Sequence, residues 1–336
     1  MMSQTSASFR LMLVFGCLTV LGLLGLLTLG DVPLGLPDYG QAVTDPGSIA
    51  GQIVWQIRLP RNLCAFVVGA MLGVAGAIAQ GYFRNPLAEP GIMGVSAGAG
   101  LGAAVAIVLG LGLTPWAVEG AALLFSGLVS VIILGFVSRF PDRQALILLG
   151  VGLSSLCGAL MALVFNLSPS PVTTAEILGW MMGSVENRSW ADTGVALLGL
   201  GLSAVMIPAL GKGLRLLTLG EETARSMGVN LRRVAALSVV CISLLAGLSV
   251  AVAGVVGFVG LAAPHFVRAC GIKDPYSLIW PSAFAGGFMV LLADSAVRLL
   301  PTSNDLRLGV LTSLVGAPLF TLLAWKSARV WAGGDQ

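Results

Sequence analysis

Apolar runs of membrane length recur along almost the whole chain, and they constrain its fold more than any other feature. A membrane-spanning helix needs about 20 mainly apolar residues, and the 336-residue sequence holds about ten such runs, one of them short and interrupted by glycine. We place them at 11–30, 55–80, 91–112, 117–138, 145–166, 192–210, 234–256, 254–271, 278–300 and 307–325. The sequence therefore predicts an all-α polytopic membrane protein with about ten transmembrane helices, forming one permease-sized domain over 1–336.

The composition leaves little room for a soluble domain. Hydrophobic residues make up 57% of the chain and charged residues 10%, whereas a soluble domain carries about 25% charged residues. The five cysteines are isolated and form no CxxC pair, so neither a disulfide framework nor a zinc site is supported. The chain also lacks a GxxxxGK[ST] phosphate loop and an HExxH motif, which argues against ATP binding by that route and against metal-dependent proteolysis. We expect no cofactor, no metal ligand and no nucleic-acid partner.

The distribution of basic residues predicts the orientation of the chain. Five of the 18 lysines and arginines fall on the predicted outer side, and the other thirteen fall inside. The five outer residues are Arg58, Arg61, Arg188, Arg298 and Arg307. Because positive residues accumulate in cytoplasmic loops, we expect a cytoplasmic amino terminus. A signal peptide is the competing interpretation of 11–30, but that run is longer than a usual signal core and no small-x-small cleavage site follows it.

The most charged stretch of the chain, 218–233, separates two apolar runs and predicts a short helix. Thr218 and Glu221 have the spacing of a capping box, and Gly228 suits the residue beyond the helix end. Glu221 and Arg225 stand four residues apart, on one helical face. Because a helix of about two to three turns is marginal in water, we expect it either to dock onto a soluble partner or to serve only as a solvated connector.

Charges within the predicted spans are scarce, and Asp294 is the clearest case. Arg298 follows four residues later, so an intrahelical ion pair is expected. A proton-driven carrier would show more buried carboxylates or histidines, and an enzyme would show a nucleophile–base or metal constellation. A secondary transporter and a membrane-embedded enzyme are therefore the less favoured alternatives.

Several motifs together resemble the permease family of ATP-driven importers for ferric siderophores, haem and cobalamin, the FecCD family. They are RLPR at 58–61, QGYFRNPLAEPGIMGVSAGAG at 80–100, WMMGS at 180–184, LGEETARSMGV at 219–229, GFVGLAAPHFVR at 257–268 and LVGAPLF at 314–320. The resemblance runs from about residue 50 to the carboxyl end. It implies ten helices per subunit in the manner of cobalamin-importer permeases, and a homodimer or pseudo-dimer around a central pathway. It also implies two cytoplasmic ATPase subunits, which bind ATP and magnesium, and a periplasmic binding protein.

The resemblance also implies roles for particular residues. The segment at about 218–229 corresponds to the coupling helix that enters a groove on the ATPase, so the expected coupling residues are Thr218, Gly220, Glu221, Glu222, Arg225 and Gly228. The expected docking residues for the binding protein are Arg58, Arg61 and Arg298. The gate and pathway candidates are Asp142, Arg143, Gln144, Trp180, Met181 and Met182. Where cobalamin permeases carry small hydroxyl residues at the gate, this chain reads PDRQ.

The expected function is that of the permease subunit of a type II ATP-driven importer in a bacterial inner membrane. It would catalyse no covalent reaction and would work by alternating access, driven by ATP hydrolysis in its partner. Ferric siderophore is the first expectation for the cargo, and haem and cobalamin are the alternatives. The outer loop offers Trp180, Met181 and Met182 but no histidine or tyrosine, so we expect an intact chelate to enter without iron coordination by this subunit.

Overall fold

A computed structural model describes residues 2–30, 32–140, 142–300 and 306–332, and over these ranges the chain is helical and forms no strand. The helices in chain order are α1 (Met2–Leu26), α2 (Leu36–Thr44), α3 (Ile49–Gln52), α4 (Leu59–Phe83), α5 (Val95–Val108), α6 (Ala117–Arg139), α7 (Arg143–Asn166), α8 (Pro171–Met181), α9 (Trp190–Leu217), α10 (Glu221–Ser226), α11 (Leu231–Ala253), α12 (Val259–Ala269), α13 (Ile279–Leu299) and α14 (Leu308–Ala332). The predicted all-α class is confirmed, although both ends of the predicted 1–336 domain lie outside the described residues.

Not all of the expected spans are full-length helices. Among the described residues, seven helical stretches are long and apolar enough to cross a membrane, namely Ser8–Leu26, Ile49–Phe83, Ala117–Arg139, Arg143–Asn166, Trp190–Leu217, Leu231–Ala253 and Ile279–Leu299. Helix α5 has 14 residues and α12 has 11. At about 1.5 Å per residue they cover only about 21 and 16 Å of a hydrocarbon core about 30 Å thick. The described apolar part of α14, Leu308–Leu322, is short as well.

Successive spans alternate in direction, so their ends form two sets on opposite sides of the bundle. Side-chain contacts join neighbouring ends within each set. The end of α4 meets the start of α7 through Arg143 and the Tyr82 carbonyl. The start of α4 meets the end of α13 through Arg61 and Asp294. The first set is here called the inner ends, because the sequence predicts them on the cytoplasmic side, and the second set the outer ends. Which set faces the cytoplasm stays a prediction.

Helix α4 runs through the middle of the bundle, and small residues let its neighbours approach it closely. It packs most extensively against α13 and also contacts α9, α11 and α12. Gly69, Gly73 and Gly76 lie at the closest approaches, where an added Cβ would collide with a backbone carbonyl oxygen of α13 or α12. Glycine at such positions removes the atoms that would hold two backbones apart. The glycine spacing therefore fixes which face of α4 meets α12 and α13.

Pro60 lies in the first turn of α4, directly after a π-helical turn. The turn spans Ile53–Arg58 and links α3 directly to α4. Within it the Leu59 N–H donates to the Val54 carbonyl, five residues earlier. Proline lacks an N–H and its ring crowds the carbonyl four residues before it, and a wider turn relieves that contact. The helix therefore continues through the proline to Phe83.

The expected outer loop between α7 and α9 contains one short helix, α8. The residues that follow α8 are joined by backbone hydrogen bonds to two other elements. Ser184 N donates to Ala253 O at 2.8 Å, at the end of α11, and Gly309 N donates to Met182 O at 2.9 Å, in the first turn of α14. Gly183, with φ of +69°, makes the required turn. These bonds hold the end of α8 beside the outer ends of α11 and α14.

Candidate coupling, gate and docking residues

The short helix predicted within 218–233 is present as α10, but it is shorter and differently capped than expected. It covers Glu221–Ser226, with Gly220 at φ +106° before it and Gly228 at φ +79° after it. The left-handed conformation predicted for Gly228 is confirmed. The predicted Thr218–Glu221 capping box is wrong, because α9 continues to Leu217 and Thr218 Oγ1 donates back to the Arg215 carbonyl at 2.6 Å. Thr218 therefore belongs to the end of α9.

Glu221 forms its ion pair with Arg143 and not with Arg225. The Arg143 Nε and Nη2 atoms lie 2.8 and 2.6 Å from Glu221 Oε1. The Nη1 atom of the same guanidinium donates to the Tyr82 carbonyl at 3.1 Å. The helical spacing of Glu221 and Arg225 allowed a pair, but the start of α7 lies closer to the Glu221 carboxylate. Arg143 thus connects α4, α7 and α10, and it joins a predicted gate residue to a predicted coupling residue.

One side of α10 is anchored and the other is exposed. Ala224 is completely buried and Val229 is 8% exposed, so both hold the segment against the bundle. Glu222 and Arg225 are exposed, and so are the two apolar side chains that flank the helix. These are Leu219, 59% exposed, and Met227, 50% exposed. Sequence reasoning missed both, although two large apolar residues within a charged stretch were visible in the sequence.

The gate candidates lie in two separate places. Asp142 Oδ1 accepts from Gln144 N at 2.8 Å and from Ala145 N at 3.4 Å, so Asp142 caps the start of α7 while Gln144 is exposed beside it. At the outer ends, Trp180 and Met181 pack partly against the core. The remaining candidate there, Met182, is 40% exposed. Helix α7 has 24 residues, about 36 Å, so the two groups are far apart along the membrane normal.

Two of the predicted docking arginines share one buried carboxylate. Asp294, with its side chain 4% exposed, pairs with Arg61 Nη2 at 2.8 Å and with Arg298 of its own helix. The intrahelical pair expected from the sequence is therefore confirmed, whereas the Arg61 contact was not foreseen. The guanidinium of Arg298 also donates to Asn62 Oδ1 at 2.5 Å. The side chain of Arg61 is 20% exposed and that of Arg298 is 8% exposed, so Arg61 is the more accessible of the two.

Arg58 points into the chain and away from the outer surface. It is 4% exposed. Its guanidinium donates to the Leu27 carbonyl at 2.6 Å, to the Tyr39 hydroxyl at 3.0 Å and to the Val32 carbonyl. These bonds tie the segment after α1 to the π-helical turn. Arg58 and Arg61, both expected as docking residues, therefore bind different parts of the chain.

Comparison with known proteins decides the family. The model of the FecCD transport family matches residues 17–326. The chain belongs to the FecCD transport family. It is 39% identical over 279 residues to the vitamin B12 import system permease protein BtuC of Yersinia pseudotuberculosis, covering 82% of each chain. It is 40% identical over 277 residues to BtuC of Salmonella schwarzengrund, covering 82% of this chain and 84% of the relative.

A solved structure shares the architecture of this chain. The chain matches an inward-facing conformation of a proposed metal-chelate type ABC transporter with a TM-score of 0.85 and 31% identity. The match covers 94% of this chain and 99% of the other. The expected family, permease subunits of ABC importers, and the cobalamin-importer-permease-like fold are therefore both shown. Within the described ranges, no group of three or more histidine, cysteine or acidic side chains is placed to hold a metal ion.

Proposed function

We propose that this FecCD permease is the membrane subunit of an ATP-driven importer that carries an intact metal chelate into the bacterial cytoplasm. The observation that carries the proposal is an exposed, glycine-bounded helix, α10, on the inner side of a chain of this family. Two ATPase subunits would bind ATP and magnesium, a second permease subunit would complete the pathway, and a periplasmic protein would deliver the cargo. The permease itself would carry out no covalent chemistry.

Coupling would pass through α10 into α7. Exposed Glu222 and Arg225, with Leu219 and Met227 beside them, offer charged and apolar contacts to an ATPase groove. Arg143 would then carry a displacement of α10 to the start of α7, since it binds both Glu221 and the Tyr82 carbonyl. Because interfaces of this kind depend on a few desolvated anchors, the two apolar side chains would contribute most of the affinity and the charges most of the orientation.

Charge reversal at Glu222 tests the coupling proposal. Glu222 is exposed and makes no ion pair with another described residue, so Glu222→Lys should leave the permease folded while reducing both ATPase co-purification and transport. Arg139→Glu is the control, because it reverses a charge at the inner end of α6, away from α10. It should leave ATPase co-purification and transport unchanged. Normal transport and normal co-purification by Glu222→Lys would contradict the coupling surface proposed here.

The cargo would be a metal chelate, and two chelates are candidates. The curated relatives named above import vitamin B12, which favours cobalamin, whereas ferric siderophore is the expectation from the family resemblance. Uptake into proteoliposomes holding the whole transporter, with labelled cobalamin and a labelled ferric siderophore in competition, distinguishes them. In either case we expect no protein ligand on the metal, and a cargo-bound X-ray absorption spectrum showing one would contradict this.

Binding-protein docking would involve the outer end of α4, with Arg61 as its most accessible arginine. The planar guanidinium can pair with a carboxylate on the partner while Asp294 holds it in place. Arg61→Gln should therefore lower the association rate at low salt more than at high salt. Arg58→Gln is a poor reporter, because that side chain is buried and its loss would disturb the segment after α1.

A further inference from the structure

Residues 32–57, here called the outer unit, form a small hydrophobic core of their own between α1 and α4. The side chains of this core are Leu34, Tyr39, Ala42, Ala50 and Val54. Arg58 ties the unit to the end of α1 through the Leu27 carbonyl. Because the core is closed by these small side chains, the unit holds its shape without using its exposed apolar residues.

Three large apolar side chains of the outer unit are nevertheless almost fully exposed. Leu36 is 89% exposed, Val43 is 71% exposed and Ile49 is 81% exposed. Leu36 and Val43 stand seven residues apart in α2, so they lie on one flank of that helix. At about 100° per residue, Gln41 lies roughly 150° around the helix from both of them. Helix α2 therefore has an apolar flank and a polar flank, in addition to the face on which Ala42 is buried.

Two tryptophans fix the height of the outer unit relative to the spans. The Trp55 indole N–H donates to the Ala42 carbonyl at 2.8 Å, and the Trp190 indole N–H donates to the Trp55 carbonyl at 2.8 Å. Trp190 is the first residue of α9, and both tryptophan side chains are exposed. Tryptophan is enriched where a membrane helix leaves the hydrocarbon core and enters the headgroup layer. The two hydrogen bonds therefore place α2 level with the membrane–water boundary at the outer ends.

The exposed apolar surface continues from Trp190 along the side of α9. Leu197, Leu198 and Val205 are exposed on that helix, which is long and apolar enough to cross the membrane. Lipid chains are as apolar as leucine, so this side of α9 suits contact with them. Because Trp190 is bonded to Trp55, the lipid-facing side of α9 leads directly to the outer unit.

Charge argues against the binding protein as the occupant of the apolar flank. Between 32 and 57 the sequence has Asp38 and Asp45 but no lysine or arginine. Both carboxylates accept a backbone N–H within the outer unit. A binding protein that presents carboxylates to Arg61 would meet like charges here. A lipid surface can be reached by burial of apolar area alone, which needs no basic residue.

We propose that α2 lies in the headgroup layer of the membrane at the outer ends, with Leu36 and Val43 reaching the upper acyl chains. Ile49, at the start of α3, would enter the same layer. The outer unit would then hold the connection between α1 and α4 at a fixed depth, beside the end of α4 that carries Arg61. Since the contact is apolar, it would be insensitive to salt, unlike docking through Arg61.

The test uses the full-length permease in nanodiscs whose lipids carry a nitroxide close to the headgroup. A fluorescent label is attached at Val43→Cys or at Gln41→Cys, after the exposed native cysteines, Cys17 and Cys270, have been replaced by serine. We expect the nitroxide to quench the label at Val43→Cys about twofold or more above the label at Gln41→Cys, at low and at high salt. With the label at Ile49→Cys, adding Val43→Asp should reduce the quenching about twofold, whereas Gln41→Asp should leave it unchanged.

Three results would overturn the proposal. Equal nitroxide quenching at Val43→Cys and Gln41→Cys would show that the apolar flank does not face the lipid. Stronger quenching of the Val43→Cys label by iodide in the water than by the nitroxide lipid would leave the flank to a soluble partner. Self-quenching of the Val43→Cys label that disappears when labelled permease is mixed with an excess of unlabelled permease would assign the flank to a second copy of this chain.

Discussion

The ion pair between Arg143 and Glu221 allows the most quantitative prediction. Arg143 makes two contacts with Glu221 Oε1, at 2.8 and 2.6 Å, and a third with the Tyr82 carbonyl at 3.1 Å. Its side chain is 15% exposed and that of Glu221 is 39% exposed. An exposed ion pair contributes about 0.2–1 kcal/mol and a charge-assisted hydrogen bond about 1.5–3 kcal/mol. Because Glu221 is more than a third exposed, we expect a coupling energy of about 1 kcal/mol between the two residues.

The contacts also predict an asymmetry between the single variants. Glu221→Ala removes only the ion pair and should cost about 1 kcal/mol, whereas Arg143→Ala also loses the bond to the Tyr82 carbonyl and should cost about 2 kcal/mol. The double variant should cost no more than Arg143→Ala, since the Arg143 substitution already removes the ion pair. These energies concern the local opening of α10 and need not change global unfolding.

Hydrogen exchange at the backbone amides of 219–229 measures this opening directly. A cost of about 1 kcal/mol corresponds to about fivefold faster exchange, so Glu221→Ala should be about fivefold and Arg143→Ala about thirtyfold faster than wild type. Additive effects in the double variant would show that the residues do not interact. Faster exchange in Glu221→Ala than in Arg143→Ala would refute the assignment of the Tyr82 bond. Glu222→Gln, at an exposed neighbour, is the control and should exchange like wild type.

Two further predictions concern the stability of the bundle. Asp294→Asn leaves Arg61 and Arg298 without their shared counter-charge and should destabilise the protein by about 3–5 kcal/mol. Adding Arg61→Gln to this variant should recover part of the lost melting temperature. No recovery would contradict the shared pairing. Gly76→Val should prevent the accumulation of folded permease, because the added Cβ would collide with the backbone of α12. Size-exclusion chromatography measures the folded fraction. Gly127→Ala is the control and should fold normally, because the space around Gly127 is open.

The sequence alone predicts most of the helices, the family and the place of α10. Each of these depends on neighbouring residues only: about 20 consecutive apolar residues specify a membrane helix wherever they occur, and Gly228 specifies a helix end through its own backbone freedom. The Asp294–Arg298 pair was predictable for the same reason, because helical spacing alone brings the two side chains together. The family motifs are likewise contiguous stretches that need no knowledge of packing.

The tertiary structure decided the partners of the charged side chains. Helical spacing predicted that Glu221 would pair with Arg225. It pairs with Arg143 instead, because α7 packs beside the end of α4 and places Arg143 next to the Glu221 carboxylate. Arg58 was expected at the surface, yet the segment after α1 folds over it and supplies three oxygen acceptors. A long side chain can reach several elements, and which of them it meets depends on how helices distant in sequence cross. The spacing of Gly69, Gly73 and Gly76 marks the face of α4 where other helices approach closely, but only the tertiary structure shows that α12 and α13 are the helices that pack there.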